Sequence, residues 1–435
     1  MGNELSLWSA EVAGDGPLWT IAGGDVRLAL GAQFRDEAFV EKRAAIAHSE
    51  DRQIVAGYAE LAIPLVSAQN RRAGVEWLQL TVAARGEDYS DFGSTFDPKL
   101  GLSWSPGYGL NIRGSWGTSF KAPMLTQMNP ANVPISVLEF PSASGYVKGI
   151  LVAGSGMDLE PEKSDNWSFG LDYSPESISA ELSATYFNID YRDRIDSVIP
   201  ATYEVMGILL DPAYTAAVDW QPDTGAVGRL LDQSMYCYDF EYNPCPIAPT
   251  PADIAVVIDR RLKNLAAVRV SGLDLSAKYR VSSDAGDWAF GINATHLLES
   301  SREFTRGLPP VEQLNTVWGP VDTRVRANVG FSRQALSASA FLNYTDSYRD
   351  VRTPNAAGPG YRAHVASWST VDLNVRYELD RFLKVAGMNA SISFSALNVL
   401  DRDPPFVASL HGLHFDGVNA NPLGRFLSAQ LVVGW

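Results

Sequence analysis

Apolar and polar residues alternate with a period of two along most of this chain. Between 178 and 186, Ile178, Ala180, Leu182, Ala184 and Tyr186 fall on one face, and Ser179, Glu181, Ser183 and Thr185 on the other. Thr323, Val325, Ala327, Val329 and Phe331 oppose Arg324, Arg326, Asn328 and Gly330 in the same way. At the C-terminus Leu427, Ala429, Leu431, Val433 and Trp435 oppose Ser428, Gln430, Val432 and Gly434. This is the pattern of strands with two unlike faces. No segment sustains the 3.6-residue period of a capped helix. The pattern predicts about fifteen strands of roughly the ten-residue length used by membrane barrels. They lie near 5–13, 24–36, 53–66, 76–88, 95–105, 109–120, 164–173, 178–192, 266–281, 287–298, 321–331, 336–348, 367–378, 388–398 and 425–435.

The connections alternate in length. Short ones fall at 67–75, 106–108, 174–177, 282–286, 332–335 and 379–387, and long ones at 37–52, 121–163, 193–265, 299–320, 349–366 and 399–424. One end of the sheet is therefore expected to carry tight turns and the other long loops. Outer-membrane barrels have this asymmetry, with short periplasmic turns and long extracellular loops. The apolar faces are almost free of charge, as a bilayer requires. Aromatic residues sit near the ends of the apolar rows: Trp104, Tyr173, Tyr186, Tyr279, Trp288, Tyr344, Tyr377 and Trp435. They are placed like interfacial girdles. The expected fold is all-β, an antiparallel transmembrane β-barrel. An odd strand count departs from the even counts of bacterial barrels, so the chain is expected to be a partial barrel.

Composition narrows the function. The net charge of −15 argues against nucleic acid as a partner. No run of about 18 apolar residues is present, which excludes membrane helices. The N-terminus, Met-Gly-Asn-Glu-Leu-Ser-Leu-Trp, lacks the basic and apolar regions of a signal peptide. Together with a barrel's need for export, this suggests a fragment of a longer protein. The two cysteines, Cys237 and Cys245, lie close together in one long loop and form a disulfide candidate; two unpaired thiols are the alternative.

Several stretches resemble the barrel of TonB-dependent outer-membrane receptors. They are Asp97 to Pro106 followed by Leu110 to Pro123, Leu159-Glu160-Pro161-Glu162 leading to Trp167, Tyr186 to Ile195, Asn398 to Pro405, and Asp88 to Gly93. The resemblance implies a barrel of about 22 strands with a plugged lumen. On that count residues 1–435 are the C-terminal part, about fifteen strands, with the plug, the TonB-binding segment and the first strands outside the chain. It implies an outer-membrane location in a Gram-negative cell and contact with outer-membrane lipid. It implies TonB as a partner only through the plug, and Trp435 as the terminal aromatic that the barrel-assembly machinery reads. It also implies uptake of a scarce ligand: a siderophore–iron or similar chelate first, with oligosaccharide or cobalamin open. A degenerate structural fragment and a soluble secreted carbohydrate-binding β-protein are the other function classes.

No catalytic constellation, metal site or cofactor is expected. His411 and His414 read as loop histidines, Gly154-Ser155-Gly156 as a flexible loop, and Gly107-Tyr108-Gly109 as a hairpin turn. The strand-boundary motifs read as ladder terminators, because Pro123 and Pro161 cannot donate to a ladder. The loop 193–265 is the candidate for ligand capture. It carries Tyr203, Tyr214, Tyr236, Tyr238 and Tyr242, whose rings could stack on sugar or catecholate-like ligands.

Overall fold

The computed structural model describes residues 2–434 other than 44–45, 130–133, 157, 198–207, 211, 234–235, 238–246, 265–266, 304–308, 353, 380–388 and 410–412. Its frame is one antiparallel sheet in chain order. The strands are β1 (Gly2–Ile21), β2 (Gly24–Arg43), β3 (Ile46–Val66), β4 (Trp77–Tyr89), β5 (Gly93–Gly107), β6 (Leu110–Lys121), β7 (Glu162–Tyr173) and β8 (Ala180–Arg192). They continue as β9 (Ala267–Ser283), β10 (Gly286–Glu303), β11 (Thr323–Arg333), β12 (Leu336–Thr345), β13 (Trp368–Glu378), β14 (Asn389–Leu397) and β15 (Phe426–Gly434). Every predicted strand is found, so the alternation located the sheet correctly. Among the described residues, β1 pairs with β2 and β15 with β14, and neither pairs with the other.

The register sorts the wall into two faces. Trp116 lies opposite Trp167, Tyr186 opposite Phe169, and Leu275 opposite Ala294, all on the apolar face. Ser115 lies opposite Ser168, Thr185 opposite Asp274, and Asn293 opposite Arg326, all on the polar face. The apolar face remains open to its surroundings: Leu102, Phe169, Leu275, Ile292, Val375 and Phe394 are exposed. A water-facing monomer rarely leaves an apolar belt of that extent uncovered. A bilayer supplies the missing cover.

Aromatic rows mark the edges of the belt. Toward the tight turns, Tyr279 lies opposite Phe290, Trp288 opposite Phe331, and Tyr377 opposite Leu336. Toward the loops, Trp167 and Tyr186 pack with ring centres 4.9 Å apart. Beyond that row the face turns polar. Asp36 accepts from Gln53 at 3.2 Å, and Asp88 from Ser94 at 2.7 Å.

Two expectations about the connections are corrected. Residues 37–52 are not a long loop: β2 and β3 run on as a hairpin, paired from Arg27↔Ala62 to Arg43↔Ile46. The segment is rich in charge and so read as loop, but a hairpin standing in water can be polar on both faces. At about 3.4 Å per residue its seven residues beyond Asp36 extend some 24 Å along the strand past the belt. Strict alternation also fails at 90–92, where β4 turns tightly into β5 at the long-loop end. The tight turns at 108–109, 284–285 and 334–335 lie where expected. Tyr108 and Gln334 take positive φ there, at 58° and 54°.

Candidate functional site

The polar face of the wall is a ladder of charge and amide groups. Arg113 pairs with Asp172 at 3.0 Å and donates to Thr185 Oγ1 at 2.6 Å, while Asp172 accepts from Ser183. Across β8–β12 the same face opens a groove of about 480 Å³ lined by Thr185, Asp274, Asn293, Arg324, Arg326 and Asn343. The Arg326 guanidinium lies over the Phe341 ring at 4.6 Å. Arg324 reaches up to Val418 O and to Asn419 Oδ1 at 2.6 Å, joining wall to loops. These groups suit a wet lumen or a polar partner surface.

The long loops are built into two bodies. The first combines 134–161 with 208–264. Strands Ile135–Ser142 and Gly145–Val152 form a hairpin, Val256–Asp259 joins it in parallel, and short pairs add Val218–Asp219 and Tyr236–Cys237. One face of this sheet buries Phe140, Leu151, Ile208, Val256 and Ile258. The other buries Ile135, Val137, Ile150 and Val152 under helix α1 (Thr224–Gln233), which contributes Val227. The expectation of no helix is thus corrected. Val227, Leu230 and Leu231 give one apolar face, and Asp223 Oδ1 accepts the Ala226 N–H at 2.8 Å as a cap. Ten residues containing Gly225 and Gly228 carry too weak a period to stand out in sequence.

Residues 154–156 are a loop, as expected, but a packed one. Ser155 is buried, and a Cβ at Gly156 would stand 2.3 Å from Leu262 O. Asp259 is held by Arg261 at 2.9 Å and Lys263 at 3.0 Å. Burial pushes its carboxyl up, but hydrogen bonds from those two cations outweigh that and bring it to about 2.

The second body joins the loops after β10, β12 and β14 around Val317, Val321, Tyr348, Val365 and Val407. Its polar knot is Asp416, which is fully buried. Asp416 accepts from Trp318 N at 3.0 Å, Val418 N at 2.9 Å and Asn419 Nδ2 at 2.8 Å. Burial first, and then the Asp416 carboxylate, hold the Tyr348 hydroxyl well above the usual phenol range. On its surface His414 stacks on Phe406 at 5.4 Å, with Arg362 at 5.8 Å from the same ring.

The tyrosine candidates are not gathered onto one surface among the described residues. Tyr214 packs against the Phe140 core. Tyr236 lies in the short strand beside Ser136. Tyr203, Tyr238, Tyr242, Cys245, His411 and Trp435 lie outside the described residues; Cys237 pairs through its backbone with Val137. Sequence reasoning placed Arg326 on the polar face but missed Asp416 and Asn264. Only Asp416 left a local signal, its Asp-Gly turn dipeptide.

Comparison with known proteins agrees with this architecture. The profile of the family described as TonB dependent receptor-like, beta-barrel matches residues 3–399. The ferric enterobactin receptor of Pseudomonas aeruginosa is 28% identical over 159 residues, covering 36% of this chain and 20% of that protein. An iron-regulated outer membrane virulence protein of Vibrio cholerae is 30% identical over 160 residues, covering 36% and 22%. The crystal structure of the Pseudomonas aeruginosa ferric enterobactin receptor PfeA, as its Q482A mutant with enterobactin, superposes with a TM-score of 0.65. Identity is 16%, over 99% of this chain and 54% of that one. The siderophore receptor PirA of Acinetobacter baumannii gives a TM-score of 0.64 at 15% identity, over 99% and 55%. The chain thus spans about half the length of these solved structures, and about a fifth of the curated relatives aligns with it. Matched along most of its length, the chain belongs to the TonB-dependent receptor-like β-barrel family of the Gram-negative outer membrane.

Proposed function

We propose that this chain forms the wall and outer loops of an outer-membrane receptor that takes up a scarce iron chelate, a ferric siderophore, using energy delivered through TonB. The observation that carries the proposal is the architecture: a polar-faced barrel wall crowned by two folded loop bodies. Support comes from relatives named as ferric enterobactin and siderophore receptors. Capture falls to the loop bodies, and passage to the lumen bounded by the polar wall. TonB is reached through a plug encoded outside these residues. The role is binding and transport, without catalysis. Cys237 and Cys245 close a disulfide that braces the first loop body, and the terminal strand with Trp435 presents the assembly signal.

The strand directions support reading the chain as part of a larger barrel. β1 and β15 are separated by an even number of antiparallel steps and run the same way. An antiparallel seam between them takes an odd number of further strands. Deleting the gene and measuring growth on ferric enterobactin as sole iron source tests the transport reading. Loss of growth that the intact locus restores is expected. Unimpaired growth on it and on other ferric siderophores overturns the reading.

A further inference from the structure

We propose that Asn264 is the positioning residue that locks the first loop body, whose two loops already share one sheet, to the barrel rim. The need for such a residue follows from Pro161. The ladder between β6 and β7 ends at Lys121↔Glu162, and Pro161 has no N–H with which to continue it. Above that level the peptide groups of Glu160 must find other partners.

Asn264 supplies them. Its Oδ1 accepts the Glu160 N–H at 2.8 Å, and its Nδ2 donates to Glu160 O at 2.8 Å. The same Nδ2 donates to Asp193 O at 2.6 Å. A primary amide offers a donor and an acceptor side by side, as the N–H and C=O of one residue in a strand do, so the side chain replaces a missing piece of strand. Asp193 presents its carbonyl from a left-handed turn, φ 56°, where the chain leaves β8. Asn264 is itself fixed by backbone pairing with Ile195.

Three chain segments therefore meet at one side chain: the entry to β7, the exit from β8 and the approach to β9. Two backbone bonds that Asn264 does not touch lie near it. Gly156 N donates to Gln127 O at 3.2 Å within loop 122–161, and Leu262 N donates to Gly154 O at 3.0 Å from one loop to the other. Just below, Glu162 is held by Lys121 at 3.0 Å and by the Tyr191 hydroxyl. The lock sits between the folded sheet above and the barrel ladder below.

Hydrogen–deuterium exchange on the complete receptor that contains this chain, purified from the outer membrane in detergent, tests the lock without any ligand. Two sets of amides are compared. The amides of Gly156 and Leu262, bonded at the base of the loop body, report the lock, and those of 149–152 and 256–259 report the sheet. In Asn264→Ala, exchange at Gly156 and Leu262 is expected to rise at least tenfold while the sheet stays protected. Asn264→Gln, one methylene longer but still an amide, is expected to restore part of the protection. Unchanged exchange at Gly156 and Leu262 overturns the proposal. Equal loss of protection in the sheet also overturns it, since Asn264 would then serve the fold of the loop body alone. If Asn264→Ala yields no folded barrel, Asn264→Asp, which keeps the acceptor and loses both donors, is judged by the same criteria. Failure of both to fold overturns the proposal as well.

Discussion

Arg52 shows how this protein accommodates a charge out of water. It is 2% exposed, and its guanidinium meets Asp91 at 2.7 Å and Pro123 O at 2.8 Å, with the Tyr89 and Phe92 rings at 5.5 and 5.6 Å. Arg52 thus ties the proline that ends β6 to the base of the β2–β3 hairpin. Asp91 keeps a quarter of its side chain exposed, so losing Arg52 costs chiefly the packing and hydrogen bonds of the guanidinium rather than a stranded charge. Arg52→Ala should therefore lower the thermal unfolding midpoint of the detergent-solubilised barrel and make segment 122–129 sensitive to protease. Asp259 gives a second residue-scale prediction. Its folded value, about 2, lies below the ~3.9 of an unfolded aspartate. Its contribution to stability is full above the unfolded value and is lost as pH falls through the folded one. Protease resistance of the first loop body should decline between about pH 4 and pH 2, and Asp259→Asn should remove that component. Neither role was legible in sequence. Arg52 looked like one charge in a polar loop, because only the three-dimensional hairpin brings Asp91 and Pro123 to it.

At the scale of elements, the face assignment makes a paired prediction. Val329 and Asn328 are neighbours on β11, one on the apolar face and one on the polar face. An arginine at the bilayer midplane costs about 2–4 kcal/mol, whereas lumen positions tolerate it. Val329→Arg should thus lower barrel stability markedly in a refolding titration into lipid, and Asn328→Arg should change it little. Helix α1 makes another. Val227 is 1% exposed and packs beneath the outer sheet. Val227→Asp places an unpaired carboxylate there, and should expose 208–264 to protease while leaving the barrel heat-modifiable. Strands were readable because a two-faced environment imposes strict alternation on them. The loop bodies were not, because their strands of two to eight residues are buried on both faces or held by few partners. Ile150-Leu151-Val152 shows this: three consecutive apolar residues, shared between two cores, carry no period at all.

At the scale of the whole molecule, function depends on orientation. The apolar belt faces lipid, the folded loops stand outside the cell, and the tight turns lie in the periplasm. The asymmetry of connection lengths made this orientation readable despite the two misjudged connections, since the β2–β3 hairpin also rises on the loop side. What the sequence concealed was that the loops are organised bodies, braced by Asn264 and Asp416, rather than open flaps. Orientation is tested most directly by labelling single cysteines in intact cells with a maleimide too large for porins, in a background where Cys237 and Cys245 are changed to Ser. Ser144→Cys lies in the turn of the outer hairpin, and Tyr108→Cys in the tight turn between β5 and β6. Labelling of position 144 in intact cells, and of position 108 only after the outer membrane is permeabilised, is the predicted result; the reverse pattern, or equal labelling of both in intact cells, contradicts the account.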